Sequence, residues 1–304
     1  MDWTAEIKAA RVRIAPHVRQ TPVVTLRGFG LDFPVEAKLE QTQHTGSFKA
    51  RGAFNTLLSG PVPKSGLVAA SGGNHGAAVA YAGAQLGHRA RIYVPEMAGP
   101  AKIALIKGLG ADLQVVPGAY SNALEAAQGY EAETGAMQIH AYDAPATVIG
   151  QGTCMAEWED QGLEADTVLI AVGGGGLIAG SLAWLARRRK IVAVEPETAC
   201  ALHASQKVAK PVDVEVSGVA ANALGARQIG RICFDLAKDI PTVLVSDEAI
   251  TAAQHALWRE ARQLVEPAGA AALAALMSGA YQPEPGERVA ILICGGNIAP
   301  DPLV

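Results

Sequence analysis

Short β-branched or apolar runs alternate with helical patterns along almost the whole chain, and few folds accommodate that alternation. The strand-like runs are VEAKLE (35–40), LVAAS (67–71), RARIYVP (89–95), DLQVVP (112–117), TVLIAV (167–172), KIVAVE (190–195), PTVLVS (241–246) and RVAILIC (288–294). Between them lie helical stretches such as NHGAAVAYAGAQLG, YSNALEAAQGYEAETG and SDEAITAAQHALWREARQL. In the last, Ser246 is placed to cap the helix, and Asp247 and Glu248 fill a first turn that favours acids. Strands separated by helix-length segments predict parallel sheets flanked by helices, an α/β architecture. GPVPKSG (60–66) and PEPGE (283–287) are the most linker-like pieces, and both are short.

A chain of 304 residues, half of them apolar and 18% charged, suits two lobes sharing a cleft. The net charge of −4, with no long basic or acidic block, argues against nucleic acid and anionic membrane as partners. The charged, amphipathic N-terminus is no secretory signal. Val168 to Ala186 carries no charge and is followed by RRRK, but four consecutive glycines interrupt it. It reads as a strand, a glycine loop and an apolar helix, with RRRK (187–190) as that helix's solvated C-terminal cap. Cys154, Cys200, Cys233 and Cys294 show no CxxC spacing, so neither zinc nor a disulfide framework is indicated. A reducing, cytoplasmic setting is expected.

Glycine clusters fall where strands end. SGGNHG (71–76) follows LVAA, GGGG (173–176) follows TVLIAV, and CGGN (294–297) follows RVAILI. In open α/β sheets ligands bind beyond the carboxyl ends of strands. A glycine turn into a helix presents free N–H groups at a positive dipole end, which suits a phosphate. Three readings of GGGG compete. GGGLIA (174–179), with Glu195 closing the next strand, fits a dinucleotide fingerprint; a lone phosphate gripped by backbone amides fits equally; close helix–strand packing is the third. HTGSFKARGA (44–53) bears on the choice. Lys49 and Arg51 sit in the first turn of a predicted helix, where a cation is poorly placed. Alone, Lys49 reads as a surface charge. Beside a phosphate turn it reads as an amine of lowered pKa, able to form a Schiff base with a cofactor aldehyde.

EQTQHTGSFKARGA (40–53), SGGNHG, VGGGGLIAG and ICGGNI together resemble the fold-type II pyridoxal-phosphate-dependent enzymes, a two-lobed, tryptophan synthase beta-like fold. Within that family the chain is most similar to the serine/threonine dehydratase and serine racemase group. The resemblance implies pyridoxal 5'-phosphate as cofactor, a small-molecule amino acid as substrate and a homodimer. It implies a large domain of residues 1–65 and 144–304, and a small domain of residues 66–143 that carries the substrate loop. Lys49 would carry the Schiff base and later act as general base, with Phe48 against the pyridine ring. Asn74 would hydrogen-bond the ring hydroxyl. Gly173, Gly174, Gly175, Gly176 and Leu177 would give N–H groups to the phosphate, and Cys294 would sit beside the ring nitrogen. Ser71, Gly72, Asn74 and His75 would receive the substrate carboxylate. The implied reaction removes water and ammonia from L-threonine or L-serine and leaves a 2-keto acid. A same-fold dehydratase or racemase acting on another β-substituted amino acid is the alternative; a non-catalytic nucleotide-binding protein comes after it.

Four departures from the family pattern sharpen this expectation. Gly72 stands where racemases of the group carry a serine, so racemisation is disfavoured. No arginine lies within YSNALEA (120–126), where serine racemase offers one to the substrate. Glu195 matches a glutamate that binds a divalent cation in many relatives, but Ala201 replaces the aspartate six residues on, so no metal is expected. The chain stops ten residues past Cys294, so the regulatory domain of biosynthetic threonine dehydratases is not expected.

Overall fold

A computed structural model describes residues 1–118 and 120–298. In chain order the strands are β1 (Val23–Gly28), β2 (Leu31–Leu39), β3 (Leu67–Ala70), β4 (Ala90–Pro95), β5 (Asp112–Val116), β6 (Met137–Gln138), β7 (Thr167–Ala171), β8 (Lys190–Pro196), β9 (Thr242–Val245) and β10 (Val289–Ile293). The α-helices are α1 (Trp3–Ile14), α2 (Lys49–Leu58), α3 (Asn74–Gln85), α4 (Pro100–Gly108), α5 (Tyr120–Thr134), α6 (Pro145–Asp160), α7 (Gly176–Leu185), α8 (Ala201–Val208), α9 (Ala221–Leu224), α10 (Arg231–Ala237), α11 (Asp247–Ala261) and α12 (Pro267–Met277). A six-stranded sheet runs β1-β2-β10-β7-β8-β9, and a four-stranded sheet runs β5-β4-β3-β6. Every described pairing is parallel except β1 with β2. Strands β7 and β10 lie in the middle of the larger sheet and are buried along their whole length. That is why TVLIA and VAILI read as unbroken apolar runs and not as alternating ones.

Each strand expected from the sequence forms, and Ser246 caps α11 by accepting the Ala249 amide at 3.2 Å. Three local features differ from the sequence reading. β1 and the start of β2 form an antiparallel hairpin, closed by Gly28, Phe29 and Gly30 with φ of 99°, 63° and 71°. Phe29 tolerates the left-handed region because its side chain is buried and its amide donates to Glu260 at 2.7 Å. β6 is only two residues long, too short for a periodic signal. RRRK does not cap its own helix in solvent. Arg189 donates to the carbonyls of Leu163 and Ala165, just beyond α6, and Arg188 pairs with Glu159 of α6.

Two packing features position the glycine loops. A Cβ at Gly180 would lie 2.5 Å from the Gly152 amide nitrogen, so α6 and α7 cross backbone to backbone. This seats the start of α7 at the end of β7. The start of α2 is held by buried charge. Arg51 makes a forked pair with Glu40 (Nε to Oε2 2.8 Å, Nη2 to Oε1 2.7 Å) and reaches both carboxylate oxygens of Glu157 at 3.0 Å. Lys38, wholly buried, joins Glu157 Oε1 at 2.6 Å. Two cations thus face two carboxylates. Arg51, oddly placed for a helix N-terminus, is a lock that fixes the turn carrying Lys49.

Candidate active site

The segment before Lys49 lies along the CGGN turn. Ser47 bridges Gly295 in antiparallel fashion, the Phe48 amide donates to the Cys294 carbonyl at 3.2 Å, and the Gly296 amide donates to the Gly46 carbonyl at 2.9 Å. This close approach explains the glycines of CGGN. A Cβ at Gly295 would meet Glu266 Oε1 at 2.0 Å, and one at Gly296 would stand 3.1 Å from the Leu264 carbonyl oxygen. Thr45 is held in the left-handed region (φ 62°), and its hydroxyl and that of Ser47 are buried without partners among the described residues. Hydrogen-bonding capacity is therefore left open beside Lys49.

The Lys49 amine donates to the Ala141 carbonyl at 2.7 Å and sits 5.1 Å from the centre of the Phe48 ring. Burial lowers its pKa to about 8, although Cys233, Cys294 and Glu266 act in the opposite direction. At pH 7 roughly a tenth of it is then the neutral nucleophile, and about half at pH 8. Burial also pushes the Cys294 thiol well up, so it stays protonated, and it donates to the Ala268 carbonyl at 3.4 Å.

The GGGG loop is glycine for two reasons at once. A Cβ at Gly173 would meet the Leu224 backbone at 2.9 Å, one at Gly174 the Tyr142 ring at 2.3 Å, and one at Gly176 the Tyr142 Cα at 3.0 Å. Gly175 has φ 92° and would collide with Cys233. Meanwhile the amides of Gly173, Gly174, Gly175, Gly176 and Leu177 find no partner among the described residues. They lie at the N-terminal end of α7, where the helix favours an anion. Close packing, one of the readings of the sequence, holds here, and it leaves the loop's amides available to an anion.

SGGNHG opens α3. The Ser71 hydroxyl accepts the Gly73 amide at 3.2 Å, and the amides of Asn74 and His75 are free among the described residues. The His75 ring is buried and turned away. Its Nε2 donates to the Ile139 carbonyl at 2.8 Å, and burial lowers its pKa to about 3, so at this loop it offers its backbone amide and not its imidazole. The Asn74 side chain points the other way, to Glu266 and Asn297.

Glu195 does not face this cleft. It is fully buried, and its two oxygens accept the Leu202 and His203 amides, each at 2.8 Å, capping α8. It cannot reach a ribose, so the dinucleotide fingerprint fails at its acidic member. No cluster of three metal-ligating side chains occurs among the described residues. Sequence reasoning misses Glu266, Tyr142 and Cys233. Glu266 directly precedes Pro267 and resembles an ordinary helix cap, whereas Tyr142 and Cys233 carry no local signal at all.

A lysine amine set between an anion-ready glycine loop and a second amide-lined loop, on parallel sheets flanked by helices, defines a fold-type II cofactor-dependent enzyme. Residues 14–295 match the family described as pyridoxal-phosphate dependent enzymes, and the chain belongs to that family. It is 34% identical over 300 residues to the phenylserine dehydratase of Ralstonia pickettii, covering 96% of this chain and 92% of that protein. It is 33% identical over 301 residues to an L-threonine ammonia-lyase of Geobacter sulfurreducens, covering 96% and 75%. Among solved structures, maize serine racemase matches with a TM-score of 0.93 and 30% identity, over 99% of this chain and 95% of that one. A T.th. threonine deaminase matches with a TM-score of 0.89 and 35% identity, over 97% and 98%. The cofactor is pyridoxal 5'-phosphate, and the residues present fit it: free amides for its phosphate, the Lys49 amine for its aldehyde and an amide donor for its ring hydroxyl. No described helix is long and apolar enough to cross a membrane.

Proposed function

We propose that the protein is a lyase that eliminates water from a β-hydroxy amino acid, L-threonine or L-serine, and regains it in releasing ammonia, to give a 2-keto acid. The observation that carries this reading is the Lys49 amine, desolvated and 2.7 Å from the Ala141 carbonyl, flanked by two loops of unpartnered amides. The bound cofactor supplies the electron sink that lets the α-C–H bond break. Gly173 to Leu177 would hold its phosphate through their amides, Asn74 would donate to its ring hydroxyl, Phe48 would lie against its ring, and Cys294 would sit beside its ring nitrogen, a weak donor there only when its S–H turns away from the Ala268 carbonyl. The free amides at Ser71 to His75, at the positive end of α3, receive the substrate carboxylate. The Lys49 amine, once free, would accept the α-proton. Loss of the β-hydroxyl as water follows; that water is regained on hydrolysis, so the net loss is ammonia.

Gly72 favours elimination over racemisation. It has no side chain to carry a proton on the opposite face, and a Cβ there would stand 2.4 Å from the Ala98 Cβ. A serine at that position would have to displace the loop before α4. We further read residues 66–143 as the small substrate-loop domain and residues 1–65 and 144–304 as the large one. The four-stranded sheet, drawn wholly from Leu67 to Gln138, supports the division. The four free cysteines suit a cytoplasmic enzyme, and the family suits a homodimer acting on small molecules alone. Relatives named for phenylserine and for threonine bracket the substrate range to be tested. Incubation of the holoenzyme with L-threonine, L-serine and phenylserine tests the reading. A 2-keto acid forming from at least one, with no D-amino acid, is expected; D-serine accumulating faster than keto acid would refute it.

A further inference from the structure

Glu266 occupies the N-cap of α12, where a carboxylate ordinarily accepts a first-turn amide, yet its side chain makes no capping bond. It is 5% exposed, and its Oε1 accepts from Asn74 Nδ2 at the start of α3, a helix that packs on the four-stranded sheet whereas α12 packs on the six-stranded one. The glycine at position 295 makes this approach possible, since a Cβ there would meet the same oxygen at 2.0 Å. The ionisable groups facing Glu266 are Lys49 from α2, Lys102 from α4 and the Cys294 thiol at the end of β10; none lies within ion-pair distance. A carboxylate buried this sparsely costs stability, which points to a role beyond packing.

The hydrogen-bond chain fixes which end of each amide faces which neighbour. The Thr45 carbonyl can only accept, so the Asn297 atom 2.7 Å from it is the amide nitrogen. That nitrogen also donates to Asn74 Oδ1 at 2.8 Å, which leaves Asn74 Nδ2 for Glu266. Asn74 therefore has one oxygen committed to Asn297, one N–H committed to Glu266, and one N–H left for the cofactor. Without an acceptor at Glu266 the amide loses its anchor on that side.

We propose that Glu266 is the positioning residue of the cofactor site, aligning Asn74 so that an N–H is always presented to the cofactor and tying α3 to the loops around Lys49. The proposal rests on Asn74 as a cofactor-binding residue and is independent of the substrate.

The test is a double-mutant cycle on the dissociation constant of pyridoxal 5'-phosphate, measured by absorbance on the stripped protein with Glu266→Ala, Asn74→Ala and both. Each single change is expected to weaken binding by roughly 10- to 100-fold, the weight of a hydrogen bond to a charged group. The double variant should match Asn74→Ala within about twofold, because Glu266 acts through Asn74. Full additivity, or wild-type affinity in Glu266→Ala, overturns the proposal. Wild-type affinity in Asn74→Ala overturns the reading of the site itself. Glu266→Gln keeps an acceptor oxygen and is expected to restore both affinity and the wild-type visible spectrum. If Glu266→Ala does not fold, Glu266→Gln decides alone: cofactor binding and spectrum like wild type support the assignment, and loss of either refutes it.

Discussion

Glu195 makes stability depend on pH in a direction that can be calculated. Burial pushes its carboxyl from an ordinary 4.5 up to about 7, outweighing the two amides from Leu202 and His203 that favour the ionised form. Between those values the folded chain holds a proton that the unfolded chain has released. Stability from this group is therefore complete below pH 4.5 and is lost as pH rises through 7. At about 1.4 kcal/mol per pKa unit the loss is roughly 3 kcal/mol. For a chain of this size that corresponds to a fall in Tm of about 5 °C. Glu266, whose carboxyl burial likewise pushes up to about 7, adds a loss of the same sign. The assay is the Tm of cofactor-free protein from pH 5 to pH 8, wild type beside Glu195→Gln. The glutamine lowers stability throughout, because one of the two α8 amides loses its acceptor, so the slope and not the level carries the result. The variant should lack about 3 kcal/mol of the wild-type decline. Parallel curves would show that Glu195 is ionised at every pH tested and that its burial costs nothing.

Three further outcomes follow from the site and its support. Arg51→Met leaves Glu40 and Glu157 facing Lys38 alone; removing one partner of such a buried network costs about 3–5 kcal/mol, so denaturant unfolding should show a loss of that size, and a change below about 1 kcal/mol would contradict it. Gly174→Ala drives a methyl into the Tyr142 ring and should weaken cofactor binding about tenfold or more with little change in far-ultraviolet circular dichroism; unchanged affinity would remove the loop from the site. Because the Lys49 pKa is lowered to about 8, cofactor capture by the stripped protein should quicken as pH rises through 8 and then level off, whereas a rise continuing to pH 10 would mean an unshifted amine.

The alternation of TVLIAV, KIVAVE and RVAILIC with helical segments is enough to read the parallel sheets, because strands buried on both faces are apolar along their length. The β1–β2 hairpin escapes a reading of the sequence because its turn uses Phe29 at positive φ, a conformation its side chain does not advertise. Within the candidate site, the residues carried by short motifs are legible: Phe48 bonds to Cys294, Asn74 of SGGNHG bonds to Glu266, and Glu266, Cys294 and the Cys233 that abuts GGGG all act on Lys49. What a motif cannot show is direction. His75 belongs to SGGNHG, yet its ring turns to Ile139. Glu195 ends its strand as a ribose-binding acid would, yet it caps α8. Glu266, Tyr142 and Cys233 reach the cleft only because α12, the start of α6 and α10 pack beside it, contacts set by tertiary structure alone.

The most direct test of the account is the visible absorption spectrum of the protein mixed with pyridoxal 5'-phosphate, wild type beside Lys49→Ala, before and after L-threonine. The account predicts a yellow wild-type protein whose band shifts on mixing while a 2-keto acid accumulates, and a variant with neither the band nor the product. A Lys49→Ala protein that kept the wild-type band and turnover would contradict it.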